Sequence, residues 1–171
     1  PDYGMSAGAA CPSGQVCHAN VTGLITGHLC PAGGICDIEG VTTLEISTVA
    51  SSANRTWPVA CPAGLYCVPG LSEIDSVTDD FDTPQACFAG FFCDGAAGTP
   101  EGSGACAKGK YCPPEGSPTD CPPGSKCEGL GNVEPVLCPL GRYQANSGAE
   151  RCVPGPVGHV CPAQGLVAPE L

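Results

Sequence analysis

Apolar side chains in this chain come in ones and twos, separated by glycine, proline and polar residues, and two stretches depart from that habit. Over Val41-Thr-Thr-Leu-Glu-Ile-Ser-Thr-Val49, Leu44, Ile46 and Thr48 alternate with Thr43, Glu45 and Ser47. This is the period-two pattern of a β-strand rich in β-branched residues. Asn20 to Leu29, with Val21, Leu24 and Ile25, reads as a second strand. A lone hairpin is marginal in water, so these strands must pair with each other or with a neighbouring chain. An edge left unpaired is a template for strand addition. A third insert, Ser72 to Thr83, is polar and holds five carboxylates. It has no Asp-x-Asp-x-Asp-Gly loop, so it reads as a solvated acidic loop in preference to a calcium site. No apolar run reaches the roughly 18 residues of a membrane span.

Between the inserts the chain repeats. Six times two cysteines stand six positions apart around a Gly-containing core, as in Cys11-Pro-Ser-Gly-Gln-Val-Cys17 and Cys61-Pro-Ala-Gly-Leu-Tyr-Cys67. The other copies run from Cys30 to Cys36, Cys87 to Cys93, Cys106 to Cys112 and Cys121 to Cys127. A seventh, Cys138-Pro-Leu-Gly-Arg-Tyr, reaches its next cysteine only at Cys152, and Cys161-Pro-Ala-Gln-Gly reads as the opening of an eighth. Within a copy, proline fixes φ for a turn and glycine takes positive φ without steric cost. The turn can bring two Cβ atoms to the roughly 3.8 Å that a disulfide needs. The Tyr or Phe before the second cysteine (Tyr66, Phe92, Tyr111) is expected to cover its own sulfur pair, acting as the core of a module too small for any other.

Composition narrows the class. Fifteen of 171 residues are cysteine, the density of a disulfide scaffold in an oxidising compartment. Structural zinc wants closer pairs, and no C-x-x-C occurs. With 25 Gly and 19 Pro but only 5% aromatics, turns are favoured over one large core. The expected fold is small and disulfide-rich: an elongated tandem array of short cysteine modules with short β-hairpins and irregular loops. We divide it into residues 1–60 with the β-rich insert, 61–137 with the acidic insert, and 138–171.

A net charge of −11 with no basic cluster argues against nucleic acid and anionic membranes as partners. The chain opens at Pro1 without a signal-peptide pattern, as expected of a processed chain or a piece of a longer precursor. Two sequons, at Asn20 and Asn54, fit N-glycans added in a secretory pathway. No catalytic constellation emerges. His18, His28 and His159 lie in no metal or triad motif, Gly98 to Gly104 lacks the lysine of a phosphate loop, and Asp79 and Asp80 are merely adjacent. The reading is of a non-enzyme with no cofactor and no metal.

The segment from Cys138 to Cys152 resembles the ephrin-receptor-like cysteine-rich repeat, C-P-x-G-x-Y followed by a polar Gly-containing stretch and cysteine. That repeat is related to the growth-factor-receptor and tumour-necrosis-factor-receptor modules. The other six copies resemble a C-P-x-G-x-Y-C variant common in large surface proteins of algae and other protists. They depart from it at Ile35, Phe88, Ala107 and Lys126. The resemblance implies bridges 11–17, 30–36, 61–67, 87–93, 106–112, 121–127 and 138–152, which leaves Cys161 over, to bridge to the next subunit or to sequence beyond Leu171. A ladder from motif to motif (17–30, 36–61 and onward) is the alternative. It also implies hydroxylation or O-glycans at Pro113-Pro114, Ser117-Pro118 and Pro122-Pro123.

Such repeats serve receptors, adhesins and matrix proteins alike. The expected function is a structural subunit or repeat segment of an extracellular glycoprotein fibre, coat or flagellar hair, associating with itself or with other surface glycoproteins. A single tryptophan, Trp57, is little for a binding surface. The alternative is the stalk of a surface receptor or adhesin. A soluble inhibitor-like binder would need the 37–60 insert as its specificity loop.

Overall fold

The computed structural model describes residues 3–5, 11–19, 25–49, 55–72, 83–114 and 116–171. The sequons at Asn20 and Asn54 and nearly all of the acidic insert lie outside them. The described chain is all β, in two compact units: Pro1–Cys87 with Cys93–Gly102, and Phe88–Phe92 with Ser103–Leu171. It is a tandem array of disulfide-closed modules, as the cysteine spacing implies.

The first unit opens with β1 (Tyr3–Met5), β2 (Gln15–Ala19) and β3 (Ile25–Leu29). These form an antiparallel sheet in the order β1-β3-β2, with Cys17 opposite Gly27. Of the strand expected over 20–29, residues 25–29 form β3 and pair within the chain, while 20–24 lie outside the described residues. The rest of this unit is two two-residue hairpin ladders. Strand β4 (Gly34–Ile35) pairs with β5 (Val59–Ala60), and β6 (Leu65–Tyr66) with β7 (Gln85–Ala86). The second unit repeats the arrangement four times: β8 (Phe91–Phe92) with β9 (Gly104–Ala105), β10 (Lys110–Tyr111) with β11 (Thr119–Asp120), β12 (Ser125–Lys126) with β13 (Val136–Leu137), and β14 (Arg142–Tyr143) with β15 (Val153–Pro154). In each ladder the two residues before a second-cysteine position pair with residues just before the next module.

The expected strand over 41–49 is a correction. Only Ser47 forms a bridge, parallel to Val59. Thr42 and Thr43 N–H donate to Thr56 O at 2.9 and 3.0 Å, and Ser47 N–H donates to Pro58 O at 3.0 Å. Pro58 limits the ladder, because it has no N–H to return to the segment. Leu44 is therefore exposed, and Trp57 pins the segment by donating its Nε1–H to Val49 O at 3.1 Å. Arg55, only 7% exposed, ties the far side of the insert to Asp37 through an ion pair.

Candidate functional site

Seven disulfides close the modules: Cys11–Cys17, Cys30–Cys36, Cys61–Cys67, Cys87–Cys93, Cys106–Cys112, Cys121–Cys127 and Cys138–Cys152. This is local pairing, not the motif-to-motif ladder. Every bridged cysteine is buried, so in modules with few large side chains the sulfur pairs are themselves the core.

What links one module to the next is a repeated set of main-chain hydrogen bonds. In the first unit Gly14 N–H donates to Cys36 O (2.8 Å) and Cys30 N–H to Gly14 O (2.9 Å). Cys17 N–H donates to Val41 O and Gly40 N–H to Cys11 O, both at 2.9 Å. Four bonds thus tie the first module to the second. The third module repeats them on the second, through Gly33, Cys36, Leu71 and Gly70. In the second unit Gly109 bonds Cys127 and Cys121 in the same manner, while Cys112 N–H bonds Asn132 O and Gly131 N–H bonds Cys106 O.

The module glycine is required for two reasons. Gly14 has φ of 78°, and a Cβ placed on it would lie 2.8 Å from Gly70 O. A side chain there would strain its own turn and push away the turn at Gly70, two modules on.

Tyr66 does not cover its own disulfide, contrary to expectation. Tyr66 packs against Cys87, Cys93 and Ala97 of the following module. Ile35, at the same position, packs on Cys61 and Cys67, and Val16 on Cys30 and Cys36. The reason is the strand period: successive side chains point to opposite faces. The residue beside the second cysteine must face away from that sulfur, onto the next module. Burial therefore links modules as well as closing them.

Two modules depart from the pattern. In the seventh, Gln144 fills the second-cysteine position. It keeps the main-chain bonds, accepting from Gly124 N–H (2.7 Å) and donating to Leu166 O (2.9 Å). In place of a bridge its side chain donates to Arg151 O at 2.7 Å and accepts from Asn146 N–H at 3.0 Å. Cys138 pairs with Cys152 instead.

The eighth corrects the sequence reading of Cys161. Gly141 N–H donates to Cys161 O and Gly155 N–H to Gly141 O, the bonds made elsewhere to the second and from the first cysteine. His159 N–H closes the turn on Pro156 O, and Gly158 has φ of 84°. Cys161 therefore ends a module, Gly155-Pro-Val-Gly-His-Val-Cys161, whose first cysteine is glycine. It does not open one. Its thiol is unbridged and buried. Alignment on Pro-x-Gly, not on cysteine, reveals this frame in the sequence.

His28 is exposed and His159 half-buried, and among the described residues no three His, Cys, Asp or Glu side chains converge on a metal position. The residues with the greatest scope for chemistry line a cleft of about 410 Å³ in the second unit: Lys126, Glu128, Arg142 and Arg151, beside Pro139 and Cys152. The Lys126 ammonium pairs with Glu128 Oε2 at 2.6 Å, and Arg142 donates Nη1–H to Cys152 O at 2.9 Å. The hydrogen bond from Lys126, its charge, and the charge of Arg151 hold the Glu128 carboxyl below the ordinary glutamate range. Charge counting along the sequence missed this cluster because its members are spread over some two dozen residues.

No protein-family model matches the chain, and no curated protein matches it. Seven disulfides suit an oxidising compartment, and no helix among the described residues is long and apolar enough to cross a membrane.

Proposed function

We propose that the chain is a non-catalytic structural subunit, or repeat segment, of an extracellular glycoprotein fibre, coat or flagellar hair. The observation that carries this reading is the repetition of the same main-chain bonds from one module to the next. Such a scaffold is made of short closed loops joined by backbone bonds and buried sulfur, and it resists force and proteolysis without a large core. The resemblance to ephrin-receptor-like and C-P-x-G-x-Y-C repeats supports the same role, as do the sequons at Asn20 and Asn54. Exposed apolar side chains of the second unit, among them Leu130, Leu140 and Val157, offer surface for association.

Sedimentation velocity of the oxidised glycoprotein over a hundredfold concentration range tests the proposal. A subunit of a fibre or coat gives species that grow with concentration and persist without reductant. A single monomeric species throughout would favour the alternative, a stalk that holds a receptor or adhesin domain away from the cell.

A further inference from the structure

Charge is divided unevenly between the two units. Five of the six basic residues, Lys108, Lys110, Lys126, Arg142 and Arg151, fall in the second, and the first holds only Arg55. The first unit also carries 11 of the 17 acidic residues. Five of those stand within ten positions, at Glu73, Asp75, Asp79, Asp80 and Asp82. This segment lies outside the described residues.

Module register explains why cations collect where they do. Lys126 holds the position that Tyr66 holds in the third module, the one that faces the following disulfide. With Cys152 it lines the cleft, so a cation stands where the array elsewhere places an apolar cover. Arg142 uses one N–H on Cys152 O and keeps the rest of its five-donor fork free for a ligand. Arg151 is exposed and makes no ion pair or side-chain hydrogen bond among the described residues. One carboxylate, Glu128, balances one of three cations, so the cleft is net positive in a chain of net charge −11.

We propose that this cleft receives the carboxylate-rich segment 73–82 of a second copy of the chain. Guanidinium groups match carboxylates in planar, two-point geometry. The segment supplies several carboxylates in a short span, and the first unit is repelled by any partner as acidic as itself. The cleft and the segment are different patches, so the contact is head-to-tail and propagates from copy to copy when the rotation does not close. The proposal rests on the self-association reading above and specifies its surface.

The test uses the intact oxidised protein and a synthetic peptide spanning Ser72 to Thr83, with binding followed by fluorescence anisotropy and self-association by sedimentation velocity. Wild type is expected to bind the peptide, more weakly as salt rises, and not to bind a version with its five acids replaced by amides. Arg151→Ala, which removes no described contact, is expected to weaken both peptide binding and self-association about three- to fivefold, the worth of one rim charge pair. Glu128→Gln removes the opposing charge and is expected to tighten both about two- to threefold. Opposite signs from two exposed substitutions cannot come from unfolding. Self-association that is indifferent to Arg151→Ala, with no peptide binding, overturns the cleft assignment and leaves the structural reading standing. Arg151-dependent binding of a sulfated oligosaccharide in place of the peptide also overturns it. A protein monomeric at every concentration overturns both.

Discussion

Replacing Gly155 by cysteine should complete the eighth module. Gly155 occupies the first-cysteine position, its φ lies outside the left-handed region, and a Cβ built on it stands 3.2 Å from Cys161 Sγ. Bond lengths across a disulfide put Cβ about 3 Å from the partner sulfur, so the bridge needs almost no backbone movement. Closing a seven-residue loop removes about 2 kcal/mol of unfolded-state entropy on the chain-entropy estimate. For a unit of this size that corresponds to a rise in melting temperature of roughly 8–16 °C. The assay pairs a thermal melt of Gly155→Cys with mass spectrometry after alkylation in denaturant. Wild type takes up one alkyl group, at Cys161, and Gly155→Cys takes up none and melts higher. Val167→Cys is the control, since position 167 would complete a module that opened at Cys161. It is expected to add a second alkylatable thiol and no stability. A bridge to position 167, or none to position 155, would refute the frame assigned to the eighth module.

Three further outcomes follow from the same geometry. Tyr66→Ala should speed reduction of Cys87–Cys93 by a thiol while leaving Cys61–Cys67 at its wild-type rate; faster loss of Cys61–Cys67 instead would show that the ring covers its own bridge. Ala96 holds φ of 53°, at a turn where Gly40, Gly70, Gly131 and Gly148 stand in other modules. Ala96→Gly should therefore stabilise the first unit by about 1 kcal/mol in denaturant titration, and a loss of stability would contradict the strained turn. The Glu128 carboxyl is held low by Lys126 and Arg151, so its favourable contribution is complete above the unfolded glutamate pKa and is lost as pH falls through the lower folded value. Its carboxyl carbon resonance should titrate below that of free glutamate and move back up in Lys126→Met; no movement would remove Lys126 as the cause.

Much of the fold was legible because its determinants are local. Cysteines six apart around Pro-x-Gly specify a turn, a positive φ and a closed loop, and the structure has all three. The strand at 25–29 was visible in its β-branched residues. The segment 41–49 was misread because alternation reports side-chain chemistry and not the partner strand. Pro58, which has no N–H to give, reduces its ladder to one bridge, and it is not visible within 41–49. Tyr66 was assigned to the wrong disulfide for a similar reason: proximity along the chain suggested Cys67, while pleating turns the ring to the other face. Cys161 was read as an opening residue because cysteine was used to set the frame. Glycine at 155 and glutamine at 144 keep the backbone bonds that define a module when a cysteine is gone. The cationic cleft needs two modules folded against each other before Lys126, Arg142 and Arg151 become neighbours.

Each module is closed by its own bridge, while hydrogen bonds and side-chain burial join it to the next. Non-reducing peptide mapping of the native protein, with cleavage inside each five-residue loop, tests this most directly. The expected map has six bridges between cysteines six apart, a seventh joining Cys138 to Cys152, and a thiol at Cys161. Bridges running from module to module, such as Cys17 to Cys30 or Cys36 to Cys61, would contradict it.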